Sequence, residues 1–228
     1  MAYGTPSFFC IHLIRLPFSD QTSTTGDPMK RMFLLPLILF AAAATAQESV
    51  QEPSTGKSFP VVVKYTRNGT EYPMSLTGVT VRKKLVFKVY GMAHYAQGPV
   101  KAPKEEALGA MLVDGKARQI TMDFARDVDA GKIRDAYLDG FRENATADEL
   151  KSIQPLVDEF VGFFAKEVKE NQQLILRWLP GGIVVATITG EEMPAITSPL
   201  FARVLWSIWF GKDSIVDRDD LVVRIATN

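Results

Sequence analysis

The chain has 228 residues, with 26 basic and 26 acidic side chains and 46% hydrophobic residues; it can bury a real core, and its charge balance argues against a nucleic-acid binder. Its single cysteine is Cys10 and its histidines are His12 and His94, so once an N-terminal leader is removed, thiol catalysis and Cys/His zinc sites lack donors. No Walker loop, dinucleotide glycine fingerprint or calcium-loop spacing occurs, which leaves a binding or isomerising site without a cofactor, or no site.

Met29-Lys30-Arg31, the apolar run 32–44 and Ala44-Thr45-Ala46 read as a secretory signal peptide cleaved after Ala46. The run is shorter than the roughly 20 residues a membrane-spanning helix needs, so no stable span is expected after cleavage. This reading places the protein in the periplasm or outside the cell, and makes residues 1–28 an extension that follows from too early a start codon. Losing the leader's three basic and two acidic residues leaves a net charge near −1, no electrostatic reason to expect nucleic acid or an anionic membrane surface as a partner. Without a disulfide, the remaining domain must stand on packing alone.

Residues 47–58 are polar, lack periodicity and read as a flexible arm, with one domain over 59–228. Strand 61–66, the turn Asn68-Gly69 and strand 72–76 form a hairpin. Strand 79–82 follows, and then 85–96, rich in β-branched and aromatic residues. If Lys83-Lys84 is the two-residue turn between them, Arg82 pairs with Leu85 and Tyr90 lies about five residues further along, roughly 17 Å away. By strand parity Lys88 shares a face with Tyr90.

A short amphipathic helix is expected over 103–112, a turn at Asp114-Gly115 and a strand over 118–124. Asp129 caps a helix that places Ile133, Tyr137 and Phe141 on one face, and Thr146 with Glu149 forms a capping box for the next. That helix carries Leu150, Ile153, Leu156, Val157, Phe160, Phe164 and Val168 as a stripe, and Pro155 should kink or split it. Strands 173–179 and 183–189 flank the turn Pro180-Gly181-Gly182. Ser198 then caps a helix with Pro199 at its first position, an apolar face of Leu200, Phe201, Val204, Leu205, Ile208 and Trp209, and Gly211 as a left-handed stop. A last helix starts at Asp217. Strands first, a helical middle, a returning hairpin and closing helices describe an α+β domain.

Three blocks resemble the chalcone isomerase-like family in order: 76–95, with Arg82 and the run Phe87-Lys88-Val89-Tyr90-Gly91-Met92-Ala93-His94-Tyr95; 122–144, with Phe124, Arg126-Asp127-Val128 and Gly140-Phe141; and 200–221. The resemblance covers about 60–228 and implies an open-faced antiparallel β-sandwich layered with helices, with a small-molecule cleft between sheet and helices. In the family's enzymes an arginine steadies a phenolate, while a tyrosine, a lysine, an asparagine and threonines act on the ketone. Arg82 matches the arginine, and Tyr90 falls where the sheet threonine stands when the strands are aligned through Tyr95. The positions of the tyrosine, lysine and asparagine fall near Gly131, Arg134 and Leu138, so none is kept. An oxyanion site without most of its donors loses several factors of ten in rate, which argues against isomerase activity.

The family's non-catalytic branch binds fatty acids through an arginine and a tyrosine, and Arg82 and Tyr90 resemble that pair. A guanidinium grips a carboxylate in two places, a phenol adds a hydrogen bond and an apolar cleft takes the tail. Arg82, Lys88, Tyr90 and Tyr95 are the candidate ligand-binding residues; no catalytic residue, metal ligand or cofactor is expected. The leading expectation is an exported, non-catalytic, monomeric binder of a fatty acid or similar amphiphile. The alternatives are a cofactor-free isomerase or lyase, which requires a polar cluster beyond Arg82, and an envelope interaction module, which requires an exposed apolar patch. Asp127, Asp129, Asp135 and Asp139, interleaved with basic residues, read as ion pairs rather than a metal cluster. His94, Trp206 and Trp209 read as packing residues, and the two Asn-X-Thr sequences as chance matches.

Overall fold

The computed structural model describes residues 48–227, so the expected signal peptide and the residues ahead of it lie outside the described residues. Within 47–58, expected as an arm without regular structure, β1 (Ser49–Gln51) pairs antiparallel with β2 (Ser58–Pro60). The residue that organises this hairpin is Glu52: its carboxylate accepts from the backbone N–H groups of Ser54 and Thr55 at 2.8 and 2.7 Å. Phe59, fully buried, anchors it.

The main sheet begins with β3 (Val62–Arg67), β4 (Thr70–Lys84) and β5 (Phe87–Ala96). Asn68 and Gly69 both take positive φ, 49° and 77°, as the turn between the first two strands requires. The segments expected as separate strands at 72–76 and 79–82 are one strand, because an extra residue, Thr77, is accommodated as a bulge between Leu76 and Gly78 without breaking the ladder. Then come β6 (Ala102–Pro103), α1 (Lys104–Ala110), β7 (Arg118–Phe124), α2 (Ala130–Asn144) and α3 (Ala147–Gly162). Asp129 caps α2 by accepting from the Gly131 N–H at 2.7 Å, and Thr146 with Glu149 forms the expected capping box on α3. The helix is not split at Pro155, which faces solvent, as does Lys151, whose carbonyl loses its helical donor there.

β8 (Gln173–Leu179), β9 (Ile183–Ile188), β10 (Glu191–Glu192) and β11 (Ile196–Thr197) complete the sheet, whose order is β10-β9-β8-β7-β5-β4-β3 with β11 also on β9. Every pairing in it is antiparallel. The closing helix α4 (Pro199–Phe210) starts as expected, with Ser198 Oγ accepting from the Phe201 N–H at 3.2 Å. Its stop differs. Gly211 is extended, with φ −71°, and is small because a Cβ there would lie 2.5 Å from both Asn144 Oδ1 and the Ser207 carbonyl oxygen. The last expected helix is only a 3-10 turn at Asp220–Val222, followed by β12 (Ala226–Thr227), which pairs with β6.

Strand alternation gives the sheet two apolar faces. Tyr90, Met92, Ile120, Met122, Phe124, Leu174 and Leu176 face α2, α3 and α4 in the larger core, where Phe141 stacks on Phe201 at 5.4 Å and Phe160 packs edge-on against both Tyr137 and Phe201. The opposite face carries a smaller core of Met74, Leu76, Ala93, Tyr95, Leu179 and Val185 beneath Phe59. Antiparallel strands with helices on one face make this an α+β domain, as expected. No helix among the described residues is long and apolar enough to cross a membrane.

Candidate ligand cleft

The chain turns at Leu85-Val86, not at Lys83-Lys84. Lys84 pairs with Phe87, Lys83 with Lys88, and Arg82 with Tyr90. The register is fixed by the buried face: Val79, Thr80 and Val81 pair with Ala93, Met92 and Gly91, and sliding by one residue would turn Met92 and Tyr90 out of the core. The expected separation of roughly 17 Å between Arg82 and Tyr90 is therefore wrong. Directly opposed residues lie about 5 Å apart at Cα.

Val89 is the extra residue that this register leaves between Lys88 and Tyr90, and the bulge breaks the parity argument for Lys88. Lys88 lies on the other face from Tyr90, where its ammonium donates to the Ser54 carbonyl, so it does not enter the cleft. Tyr95 is also on the far face, fully buried in the smaller core, and its hydroxyl has no hydrogen-bond partner. Burial pushes its phenol well above the usual range. Of the four candidate residues, Arg82 and Tyr90 meet, while Lys88 and Tyr95 point away from them.

Arg82 and Tyr90 border a cavity of about 350 Å³ between the sheet and helices α2 and α4, within the size range of small-molecule sites. Val89, Met122, Phe124 and Leu174 form its floor, and Ile133, Tyr137, Ile208 and Trp209 its helical wall. Its mouth is bordered by the exposed side chains Lys84, Leu85, Phe87, Arg126 and Lys132. Arg82, half-buried, donates from Nη1 to the carbonyl of Ile215 at 2.7 Å and to that of Lys83 at 3.1 Å. No carboxylate among the described residues forms an ion pair with it. Its remaining N–H groups are available to an anion.

Tyr90 is buried, with its ring 5.6 Å from that of Phe124. Its hydroxyl accepts from Trp209 Nε1 at 3.1 Å, which leaves the phenolic proton to be donated elsewhere. Burial raises the Tyr90 phenol above its ordinary range, against the smaller opposing effects of Trp209 and Arg82; burial, and next the Tyr90 phenol, push Tyr137 well up. Both phenols stay protonated at neutral pH and so can donate a hydrogen bond. Tyr137 is the cleft residue that sequence reasoning placed only in a packing stripe; the signal was its hydroxyl, the one polar group on the Ile133, Tyr137, Phe141 face. Trp209 was likewise read as packing alone.

The acidic residues of this region do other work. Asp127 borders the cleft but accepts from the Glu170 N–H at 2.8 Å and pairs with Lys169 at 3.3 Å, Asp129 caps α2, and Asp139 pairs with Arg142 at 2.7 Å. The backbone hydrogen bond, and then Lys169, hold the Asp127 carboxyl below the usual range. His94 is remote from the cleft. Thr77 Oγ1 lies 2.7 Å from both the Leu221 carbonyl oxygen and His94 Nδ1; its single proton goes to the carbonyl, so Nδ1 carries the other one and donates. Burial first, then Arg118, push the His94 imidazole well below its ordinary range, and the ring packs edge-on to Phe210 at 4.6 Å.

A crystal structure of a fatty-acid binding protein from Arabidopsis thaliana shares the fold, with a TM-score of 0.59 at 22% identity, covering 77% of this chain and 96% of that one. No curated protein matches the chain. The family model described as chalcone isomerase-like matches residues 58–219, most of the chain and nearly all of its described fold, and the chain belongs to that family.

Proposed function

We propose that this protein is an exported, non-catalytic binder of a fatty acid or a similar single-chain amphiphile, held in the cleft between the sheet and helices α2 and α4. The observation that carries the reading is the cross-strand pairing of Arg82 with Tyr90 at the edge of an apolar cavity. The free N–H groups of Arg82 suit one carboxylate, the Tyr90 proton adds a third hydrogen bond, and Met122, Phe124, Ile133 and Leu174 suit an alkyl tail. The fold shared with a plant fatty-acid binding protein supports this chemistry. Export rests on the signal sequence at 29–46.

The polar groups around the cleft are donors: Arg82, Tyr90, Tyr137 and, through Tyr90, Trp209. Asp127, the carboxylate that borders it, is engaged by Lys169 and a backbone N–H. A site rich in donors and without a free base favours holding an anion over moving a proton.

Native mass spectrometry of the chain beginning at Gln47, with extraction of co-purified lipid and titration with lauric acid, tests this. Bound fatty acid, released about tenfold more readily by Arg82→Ala and by Tyr90→Phe, is expected. A clean apo monomer that takes up no fatty acid would sink the reading. Turnover of a chalcone, abolished by Arg82→Ala, would replace it with an isomerase.

A further inference from the structure

The tip of the β4–β5 hairpin does not follow the usual chemistry of turns. A two-residue turn favours Asn, Asp or Gly, because residues with a short polar side chain or none tolerate positive φ. Here Leu85 takes φ 55° and Val86 follows it. Leu85, Val86 and Phe87 are 89%, 84% and 56% exposed, three consecutive large apolar side chains at the tip of the fold's longest hairpin. The other strongly exposed apolar residues among those described, Val100, Val113 and Val223, stand singly in the sequence.

The side chains beside this tip are mostly basic; Asp127, on the same cleft border, is engaged by Lys169 and the Glu170 N–H. Lys83 and Lys84 precede it, Arg126 places its guanidinium over the Phe87 ring at 5.1 Å, and Lys132 borders the same cleft mouth. None of these four cations has an ion-pair partner among the described residues. Lys83 stands across from Lys88, whose ammonium is turned to the Ser54 carbonyl, and borders a second pocket with Glu52, Asp217 and Asp220. A near-neutral net charge conceals this local excess of cations.

We propose that the hairpin tip is a docking surface for an anionic lipid bilayer. Leu85 and Val86 enter the boundary between headgroups and acyl chains, while Lys83, Lys84, Arg126 and Lys132 lie against anionic headgroups. An apolar wedge with a cationic collar is the complement of such a surface; a protein partner would have to supply both an apolar pocket and a ring of carboxylates. The docked tip sets the cleft mouth on the lipid surface, since Lys84, Leu85 and Phe87 border both. Docking stands on the tip alone; its use as an entry route for an amphiphile rests on the function proposed above.

The described residues, 48–227, lie in one compact unit containing both cores, so the chain beginning at Gln47 is the object to test. It is sedimented with phosphatidylcholine vesicles, with and without phosphatidylglycerol. Binding is expected to the anionic vesicles, to weaken with added salt, and to fall about fivefold in Lys83→Gln and about tenfold in Val86→Ser. Both side chains lie outside the cleft lining, so lauric acid uptake from solution should be unchanged in these variants. No binding, equal binding to both vesicles, or variants that bind like the parent would overturn the proposal. So would a vesicle-independent dimer dissolved by Val86→Ser, which assigns the tip to a second copy of the chain. Vesicle binding without any fatty-acid uptake would retain the docking surface and remove the function; uptake without vesicle binding would do the reverse.

Discussion

Arg82 stands directly across from Tyr90 in the β4–β5 ladder, and the bulge at Val89 puts their neighbour Lys88 on the opposite face of the sheet. A guanidinium and a phenol that can each still donate thus share one side of an apolar cavity. The lysine beside them is committed to the backbone of the β1–β2 hairpin.

This separation of faces can be measured. Lys88→Ala is expected to change the affinity for lauric acid by less than about twofold, whereas Arg82→Ala weakens it by about tenfold or more, a charged hydrogen bond being worth about 1.5–3 kcal/mol. Titration calorimetry on the two variants decides it; equal losses would mean that both lysine and arginine reach the ligand.

Tyr95 buries a hydroxyl that has no partner. Removing it should relieve a desolvation cost of about 1 kcal/mol without opening a cavity. Tyr95→Phe is therefore expected to raise the urea midpoint and to leave ligand affinity untouched. A lower midpoint would show that the hydroxyl is satisfied after all.

Protonating His94 places the new proton on Nε2, which is buried without a hydrogen-bond partner, and leaves the resulting charge unsolvated. Its folded pKa lies well below 6.5, so below that pH the unfolded chain binds the extra proton and the folded one resists it. The stability tied to neutral His94 is fully present above about pH 6.5 and is lost as pH falls, at up to about 1.4 kcal/mol per pH unit. Asp220, whose carboxyl is raised mainly by burial and then by Asp217, acts in the opposite sense, but does so equally in a variant. Urea unfolding between pH 7 and 5.5 should show the slope in the parent and not in His94→Gln.

Gly78 passes beneath the C-terminal turn so closely that a Cβ would lie 1.9 Å from the Asp220 carbonyl oxygen and 2.6 Å from the Leu221 carbonyl carbon. Both are backbone atoms and cannot rotate away. Gly78→Ala is expected to cost about 3 kcal/mol and to detach the Asp220–Val222 turn. Hydrogen exchange at the Arg224 N–H, which donates to the Thr77 carbonyl at 3.0 Å, reports that detachment directly.

Where local chemistry is self-sufficient, the sequence was readable. The Thr146 and Glu149 capping box, the Ser198 cap with Pro199, the Asn68-Gly69 turn and strand Arg118–Phe124 all lie where spacing places them. Each of these features is decided by residues within a turn or a few strand positions of one another. The readings that failed depend on packing and register that the local sequence does not carry. Gly211 was read as a left-handed stop because glycine often is one, but it is small for Asn144 and the Ser207 carbonyl. Two charged residues, Lys83-Lys84, looked more like a turn than Leu85-Val86.

By itself the sequence determined most of the long strands and helices and their order, because alternation, helical periodicity and capping act over short range, while three blocks in order carried the family resemblance. Only the tertiary structure decided which residues share a site. One bulged residue, Thr77, carried one long strand past the expected break; a second, Val89, turned Lys88 away from Tyr90; and the register fixed by burying Met92 and Tyr90 brought Arg82 to Tyr90. A one-residue shift in a ladder exchanges the faces of a sheet, and what sets it is the burial of side chains against helices that the chain reaches much later.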